Sequence, residues 1–202
     1  MLKYVKQFFD FLFSKRKAIE PKTSEIIEKY KNLILQLENS GYTTQGRLKK
    51  KLTELNWQHV TYGTFSYVYL TPCKQFILRV GSSTDNAYPL QAYHAICHVN
   101  NPYYCNVYAL VFGLKSKRTF TFMEPLDKIH RHKHLSDIYD KSIRNIWRMK
   151  TAQCTNDKET GLDAALSDIK AFAKQNQLKL DLHSGNVMVR NGKDIVFTDP
   201  FI

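Results

Sequence analysis

The chain has 202 residues, of which 43% are hydrophobic and 13% aromatic, and it carries a formal charge of +12. That length serves one domain, or one domain with a helical extension, and the apolar content suffices for a buried core. No apolar run approaches a transmembrane span. The aromatic start, residues 1–13, is interrupted by Lys3, Lys6 and Asp10 and has no small-residue cleavage site, which argues against a signal peptide.

Cys73, Cys97, Cys105 and Cys154 show no Cys-x-x-Cys spacing and read as reduced thiols of a cytoplasmic protein, not as a disulfide frame or a zinc site. Residues 1–51 hold 12 Lys/Arg against 5 Asp/Glu, a net of +7, so more than half of the excess charge sits in the first quarter. Such an excess suits an anionic partner, namely nucleic acid, a membrane surface, an acidic protein or ATP, or else forms a solvated basic face.

Residues 1–17 are basic and aromatic and end in Ser14-Lys15-Arg16-Lys17. Their apolar side chains spread around most of a helix circumference, so packing on the domain competes with lying on a membrane. Pro21 marks a break. Ser24 is then expected to cap a helix with Ile26, Ile27, Tyr30, Leu33, Ile34 and Leu37 at helical spacing, stopped by Asn39-Ser40-Gly41. A second short helix has Leu48, Leu52 and Leu55 on one face and Lys49, Lys50 and Lys51 on the others.

From Trp57 the period becomes strand-like. Residues 57–61, 67–70 and 75–80 read as three strands, with turns at 63–66 and 71–74. Residues 85–99 read as a helix. Residues 107–114 and 119–123 read as a hairpin joined by Lys115-Ser116-Lys117-Arg118. The remainder is mostly helical. Leu135, Ile138, Tyr139, Ile143, Ile146 and Trp147 share one face, residues 151–160 form a polar loop, and Leu162, Ala165, Leu166, Ile169, Phe172 and Ala173 mark a helix starting near Asp163. His130, His132 and His134 alternate with Arg131 and Lys133; on a strand they would suit a metal, and otherwise they form a basic surface loop.

The chemistry concentrates at the end. Asp181-Leu182-His183-Ser184-Gly185-Asn186 is followed thirteen residues after Asn186 by Asp199, in Thr198-Asp199-Pro200. Residues 187–197 read as two short strands around Asn191-Gly192, a hairpin turn signal. That turn folds the chain back and sets Asn186 beside Asp199. A carboxylate and an amide oxygen together make a hard oxygen site suited to Mg²⁺ carrying phosphate oxygens. Asp181 would meet an arriving hydroxyl. The plain alternative is that Asp181 and Asn186 cap turns and Asp199 caps a strand end.

An Asp, an Asn five residues on and a later metal-binding Asp are the catalytic loop and metal Asp of protein kinases. The Asp-x-His-x-x-Asn form is similar to small-molecule and atypical kinases, with Lys179 and Leu180 in the places of the usual His and Arg. Upstream, Val60-Thr61-Tyr62-Gly63-Thr64-Phe65-Ser66-Tyr67-Val68 resembles the kinase glycine-rich loop. Gly63 takes the middle glycine, Phe65 the loop tip and Val68 the valine under the adenine, while Thr61 and Ser66 replace the outer glycines. Taken together with Ile77-Leu78-Arg79-Val80-Gly81 and Ile195-Val196-Phe197-Thr198-Asp199-Pro200, the chain from about Leu48 onward resembles the early serine/threonine protein kinases of short-tailed bacteriophages.

That resemblance implies an α+β, protein-kinase-like two-lobed fold. It would comprise a basic helical extension (1–56), an upper lobe with a five-stranded antiparallel sheet (57–126) and a reduced helical lower lobe (127–202). It also implies transfer of the ATP γ-phosphoryl group to Ser or Thr of host proteins, such as transcription or translation machinery, in the host cytoplasm. Asp181 would be the catalytic acceptor of the hydroxyl proton. His183 would orient the loop or touch the phosphate, and Asn186 and Asp199 would hold Mg²⁺. Gly63, Thr64, Phe65, Ser66, Val68 and Arg79 would contact ATP, with backbone near Glu124 and Leu126 meeting the adenine.

Three features depart from the kinase pattern. Arg79 stands where kinases carry the phosphate-binding lysine, and an arginine fork is not interchangeable with an ammonium. Residues 85–99 contain no glutamate to pair with it. The sequence ends three residues after Asp199, so the expectation is a shortened lower lobe and a peptide held elsewhere, for example on the basic N-terminal helices. The missing outer glycines, Arg79 and the shortened lower lobe favour, as an alternative, a kinase-like protein that binds a host protein without phosphate transfer. A third reading is a small-molecule phosphotransferase related to the aminoglycoside kinases. A nucleic-acid binder is weaker, since aromatic and basic residues do not alternate as in a known module.

Overall fold

In the computed structural model the described residues are 20–63, 66–82, 84, 92, 94–95, 101–148 and 161–202. The expectations for residues 1–17, for most of 85–99 and for 151–160 fall outside them. By its internal contacts the chain forms two units, residues 1–99 with 106–125 and residues 100–105 with 126–202.

The first unit is built on an antiparallel sheet of β1 (Gln58–Tyr62), β2 (Ser66–Leu70), β3 (Ile77–Gly81), β4 (Val107–Phe112) and β5 (Thr119–Met123), in the order β1-β2-β3-β5-β4. Strand side chains alternate between faces. Tyr69 lies opposite Leu78, and Leu78 opposite Phe122; Val80 and Val111 both lie opposite Phe120. These residues form one apolar face. Two helices, α1 (Pro21–Asn39) and α2 (Gln45–Glu54), contribute Ile27, Tyr30, Ile34, Leu37, Leu48 and Leu52 to the same core. Tyr30 meets Trp57 edge-on at 5.0 Å between ring centroids and stacks on Phe122 at 6.3 Å. Each fully buried large apolar side chain contributes roughly 1.5–3 kcal/mol, so the helical extension and the sheet stabilise one another through a shared core.

The other face reads Val68, Arg79, Thr121 and Leu110 across the register. Arg79 and Thr121 are buried there. Ala92, His94 and Ala95, between β3 and β4, are helical and buried. Glu38, near the end of α1, is buried and accepts the Ser116 N–H at 3.2 Å, while Lys115 Nζ donates to Asn39 O at 2.7 Å. The helix end is thereby tied to the β4–β5 turn.

Several boundaries differ from the sequence reading. Ser24 is not the cap: α1 begins at Pro21, and the Ser24 N–H already donates to Glu20 O at 3.0 Å. Proline suits a first helical position because it lacks the N–H that would be orphaned there. β3 starts at Ile77, not at 75, because Phe76 O accepts the Thr71 N–H at 3.0 Å and the Thr71 hydroxyl at 3.1 Å, closing a turn over 71–76. β4 ends at Phe112 because the Gly113 N–H bonds back to Arg118 O at 2.9 Å.

The second unit holds α3 (Lys133–Arg148), α4 (Leu162–Gln175) and a three-stranded sheet of β6 (Asp127–Lys128), β7 (Val187–Arg190) and β8 (Asp194–Phe197) in that order. The β7–β8 hairpin turns where expected. Asn191 (φ 52°) and Gly192 (φ 70°) adopt the left-handed region that the Asn-Gly pair favours. Leu162, Ala165, Leu166, Ile169 and Ala173 of α4 are buried, and Phe172 packs on Phe201 at 5.4 Å. Tyr104 forms a parallel bridge with Phe197, and its hydroxyl donates to Asp168 Oδ2 at 2.6 Å. Burial, and then the Asp168 carboxylate, push that phenol far above its usual pKa. Arg190 clamps the same segment, donating to Pro102 O at 2.7 Å and Tyr104 O at 2.9 Å.

The three histidines do not lie on a strand. His130 is exposed in a 3₁₀ turn (Ile129–Arg131) and His134 is exposed in the first turn of α3, while His132 is half-buried with Nε2 3.8 Å from Asp127 Oδ2. Cys73 and Cys105 form no disulfide; Cys97 and Cys154 are outside the described residues. No helix among the described residues is long and apolar enough to cross a membrane.

Candidate active site

In the second unit the loop 179–186 is fixed from both ends. Lys179 and Ile202 exchange backbone hydrogen bonds of 3.0 and 2.9 Å, Leu180 bridges Phe201, and the Asp181 N–H donates to Pro200 O at 2.8 Å. This antiparallel strip lays residues 199–202 beside Asp181. Downstream, a 3₁₀ turn (Ser184–Asn186) follows His183, with the Asn186 N–H on His183 O at 2.9 Å. The Asn186 side chain then reaches back: Nδ2 donates to Asp181 O at 3.0 Å and to Asp181 Oδ2 at 2.9 Å. A hydrogen bond to a carboxylate contributes roughly 1.5–3 kcal/mol.

Asp199 is held by its neighbours. Thr198 donates its N–H and its hydroxyl to Asn186 O, each at 3.0 Å, and Pro200 accepts from Asp181. The residue between them is therefore flanked by chain tied to both Asn186 and Asp181. Asp181 and Asn186 meet through their side chains, and the hairpin returns the backbone on either side of Asp199 to the same loop. Asn186 commits its nitrogen to Asp181, so its amide oxygen, a hard donor of the kind magnesium accepts, is not used by that brace.

His183 is 60% exposed and its Nε2 lies 3.6 Å from Asp181 Oδ2, while Asp181 is 35% exposed. Tyr139 of α3, fully buried, donates its hydroxyl to Leu182 O at 2.8 Å. Burial, followed by the Asp140 and Asp181 carboxylates, pushes the Tyr139 phenol well above its usual pKa, so it stays a donor. Sequence reading placed Tyr139 only on an apolar face. Its hydroxyl was the available signal, because a buried tyrosine needs a partner for its polar tip.

The first unit gathers a second group. The Gly63 N–H donates to Ser66 O at 2.8 Å across the β1–β2 turn. Ser66 pairs with Gly81, and Val68 pairs with Arg79. Arg79 lies along its own strand toward Gly81, since a Cβ placed on Gly81 would come within 3.3 Å of Arg79 Nη1. Because Gly81 pairs with Ser66, the guanidinium runs toward the β1–β2 turn. Thr64 and Phe65 lie outside the described residues. The Glu124 N–H donates to Asn106 O at 3.0 Å, and Glu124 Oε1 accepts the Asn106 N–H at 2.7 Å, so this residue buttresses the start of β4. Leu126 is half-buried.

Among the described residues, then, this is an α+β protein with a five-stranded antiparallel sheet, four α-helices and a polar loop built on an Asp-Asn pair. No protein-family profile matches the chain, and no curated protein matches it.

Proposed function

We propose that the protein is an ATP-dependent serine/threonine protein kinase of the short-tailed-phage type, with a kinase-like two-lobed fold, acting on host proteins in the host cytoplasm. The observation that carries this reading is the pair of hydrogen bonds from Asn186 Nδ2 to Asp181, together with the tie of Thr198 to Asn186 that flanks Asp199. The strand order β1-β2-β3-β5-β4, with helical residues between β3 and β4, supports the fold assignment.

In this mechanism Asp181 accepts the proton of a Ser or Thr hydroxyl. The hydroxyl oxygen forms a bond to the γ-phosphorus, the bond from that phosphorus to the β–γ bridging oxygen breaks, and ADP leaves with the electron pair. Asn186 Oδ1 and the Asp199 carboxylate would hold magnesium. The metal, when bound, supplies charge neutralisation on the phosphate oxygens. The turn at Gly63–Ser66 and the Arg79 guanidinium are assigned to phosphate contacts, and the Glu124 carbonyl and Leu126 to the adenine.

Labelling of a bacterial host extract with γ-³²P-ATP and Mg²⁺ tests the reading. The wild type should label proteins, and Asp181→Asn, which keeps shape and loses the charge, should lower labelling by orders of magnitude while ATP binding survives. A wild type that labels no more than Asp181→Asn overturns it. Arg79 favours a second reading, a kinase-like protein that binds a host protein without transfer: it is 6% exposed, and its guanidinium fork is not interchangeable with the ammonium of the kinase lysine. Absence of labelling with retained capture of a host protein is the outcome that reading expects.

A further inference from the structure

His183 sits on Gly185. A Cβ built at Gly185 would come within 2.5 Å of His183 Cε1 and 2.8 Å of Nδ1, so the imidazole occupies the space that a side chain at 185 would need. The Gly185 N–H donates to Nδ1 at 2.9 Å. A backbone N–H can only donate, so Nδ1 is the lone-pair nitrogen and the neutral ring carries its proton on Nε2. That nitrogen faces Asp181 Oδ2 at 3.6 Å, the same oxygen that accepts from Asn186 Nδ2 at 2.9 Å. At 3.6 Å this is an electrostatic contact and not yet a hydrogen bond. Contacts of this kind shorten when the reacting partner binds.

We propose that His183 is a positioning residue: seated on Gly185 with Nδ1 held, it directs Nε2–H at Oδ2 of Asp181 and reserves Oδ1 for the acceptor hydroxyl. The inference rests on the kinase reading. It gives the His-Ser-Gly sequence between Asp181 and Asn186 a purpose. Glycine at 185 makes room for the ring, its N–H selects the tautomer, and the 3₁₀ turn brings Asn186 to the same carboxylate oxygen.

Two substitutions separate the hold on Asp181 from the cap on the turn. Asparagine is a good cap and can accept from Gly185 N–H, but it is too short to reach Asp181. Glutamine reaches about as far as Nε2 but caps poorly. Initial rates are measured with γ-³²P-ATP and casein as acceptor. His183→Asn should lower kcat by about tenfold to a hundredfold, in the range that misplacement of a reacting group costs, with KM for ATP within a factor of about two. Gly185→Ala, which displaces the ring without removing it, should act in the same direction. His183→Gln should recover part of the loss. A cap-only role predicts the reverse order, with His183→Asn closest to wild type, and that result overturns the proposal.

A readout independent of turnover is the ¹⁵N shift of the imidazole nitrogens at pH 8, assigned by loss of the signals in His183→Asn. The Nε2–H tautomer is expected, and the Nδ1–H tautomer overturns the proposal. A wild type that leaves casein and itself unlabelled but shows the Nε2–H tautomer sinks the kinase reading while supporting the geometry at Asp181.

Discussion

The two units fix their polar side chains by opposite means. In the first, Arg79 (6% exposed) and Thr121 (0%) are held on strands, in register, on a sheet whose opposite face packs against two helices. In the second, Asp181 (35%) and His183 (60%) stay substantially open to water and are held by hydrogen bonds from backbone and side chains on both sides of the loop. Burial on a sheet gives a rigid position that depends on packing. A hydrogen-bonded loop leaves its polar atoms accessible at the cost of depending on a few polar contacts. Mutations should therefore divide cleanly: apolar changes in the first unit act on stability, and polar changes in the second act on the proposed phosphoryl transfer.

The sharpest break of that contrast is Phe122→Ala. Phe122 is fully buried, stacks on Tyr30 and contacts Trp57 at 6.4 Å. Truncation of such a ring costs about 3–5 kcal/mol, so chemical denaturation should show a large loss of stability. A loss below about 1 kcal/mol would mean that the helices and sheet do not share a core. Next in size is Asn186→Ala. It removes both the brace on Asp181 and one proposed magnesium ligand, and turnover should fall about 10²–10³-fold, as when one preorganised electrostatic contact is lost. The melting temperature should move little, since Asn186 is only half-buried. A large fall in stability with turnover per folded molecule unchanged would reverse the assignment.

Arg79 is the residue on which the two regimes meet. If it binds phosphate, Arg79→Ala should weaken ATP by about 1.5–3 kcal/mol, the worth of a charge-assisted hydrogen bond, and leave adenosine unchanged. Arg79→Lys should restore part of that. Equal losses for ATP and adenosine, accompanied by lower stability without nucleotide, would make Arg79 a structural residue of the sheet face. Titration calorimetry of both ligands on both variants distinguishes these outcomes.

What was legible in the sequence was local. The Asn191-Gly192 turn and the alternation in β2 to β5 follow from neighbouring residues, and each appears within two residues of where the periodicity put it. Arg79 could be placed on the face opposite Leu78 by alternation alone. What was not legible depends on distant chain. β6 is two residues long and exists because Asp127 and Lys128 pair with Val189 and Met188. Residues 101–105 precede β4 in sequence, but through Tyr104 and the acceptors of Arg190 they belong with the β7–β8 hairpin. The start of α1 was misread because Ser24 looked like a cap, while Pro21 three residues earlier already fitted the first turn.

The smallest expected effect tests the second unit alone. Tyr139→Phe keeps the ring, which packs near Phe197 at 6.2 Å, and removes only the hydroxyl that donates to Leu182 O. An ordinary hydrogen bond contributes about 0.5–1.5 kcal/mol net, and Leu182 is half-buried, so water can partly replace the lost donor. The melting temperature should fall by no more than about 2–4 °C for a chain of this size. If the loop depends on polar contacts, the loss should be felt where those contacts act. Amide exchange at Asp181 and Asn186 should speed up, since both N–H groups are hydrogen-bonded within the loop assembly, while exchange in β3 and β5 stays unchanged. Turnover should drop by less than about tenfold, the equivalent of about 1.4 kcal/mol, with KM for ATP unaltered. Faster exchange spread evenly over both units would show that Tyr139 supports the fold as a whole. Unchanged exchange at Asp181 would show that the strip formed with residues 200–202 is sufficient to hold the loop without α3.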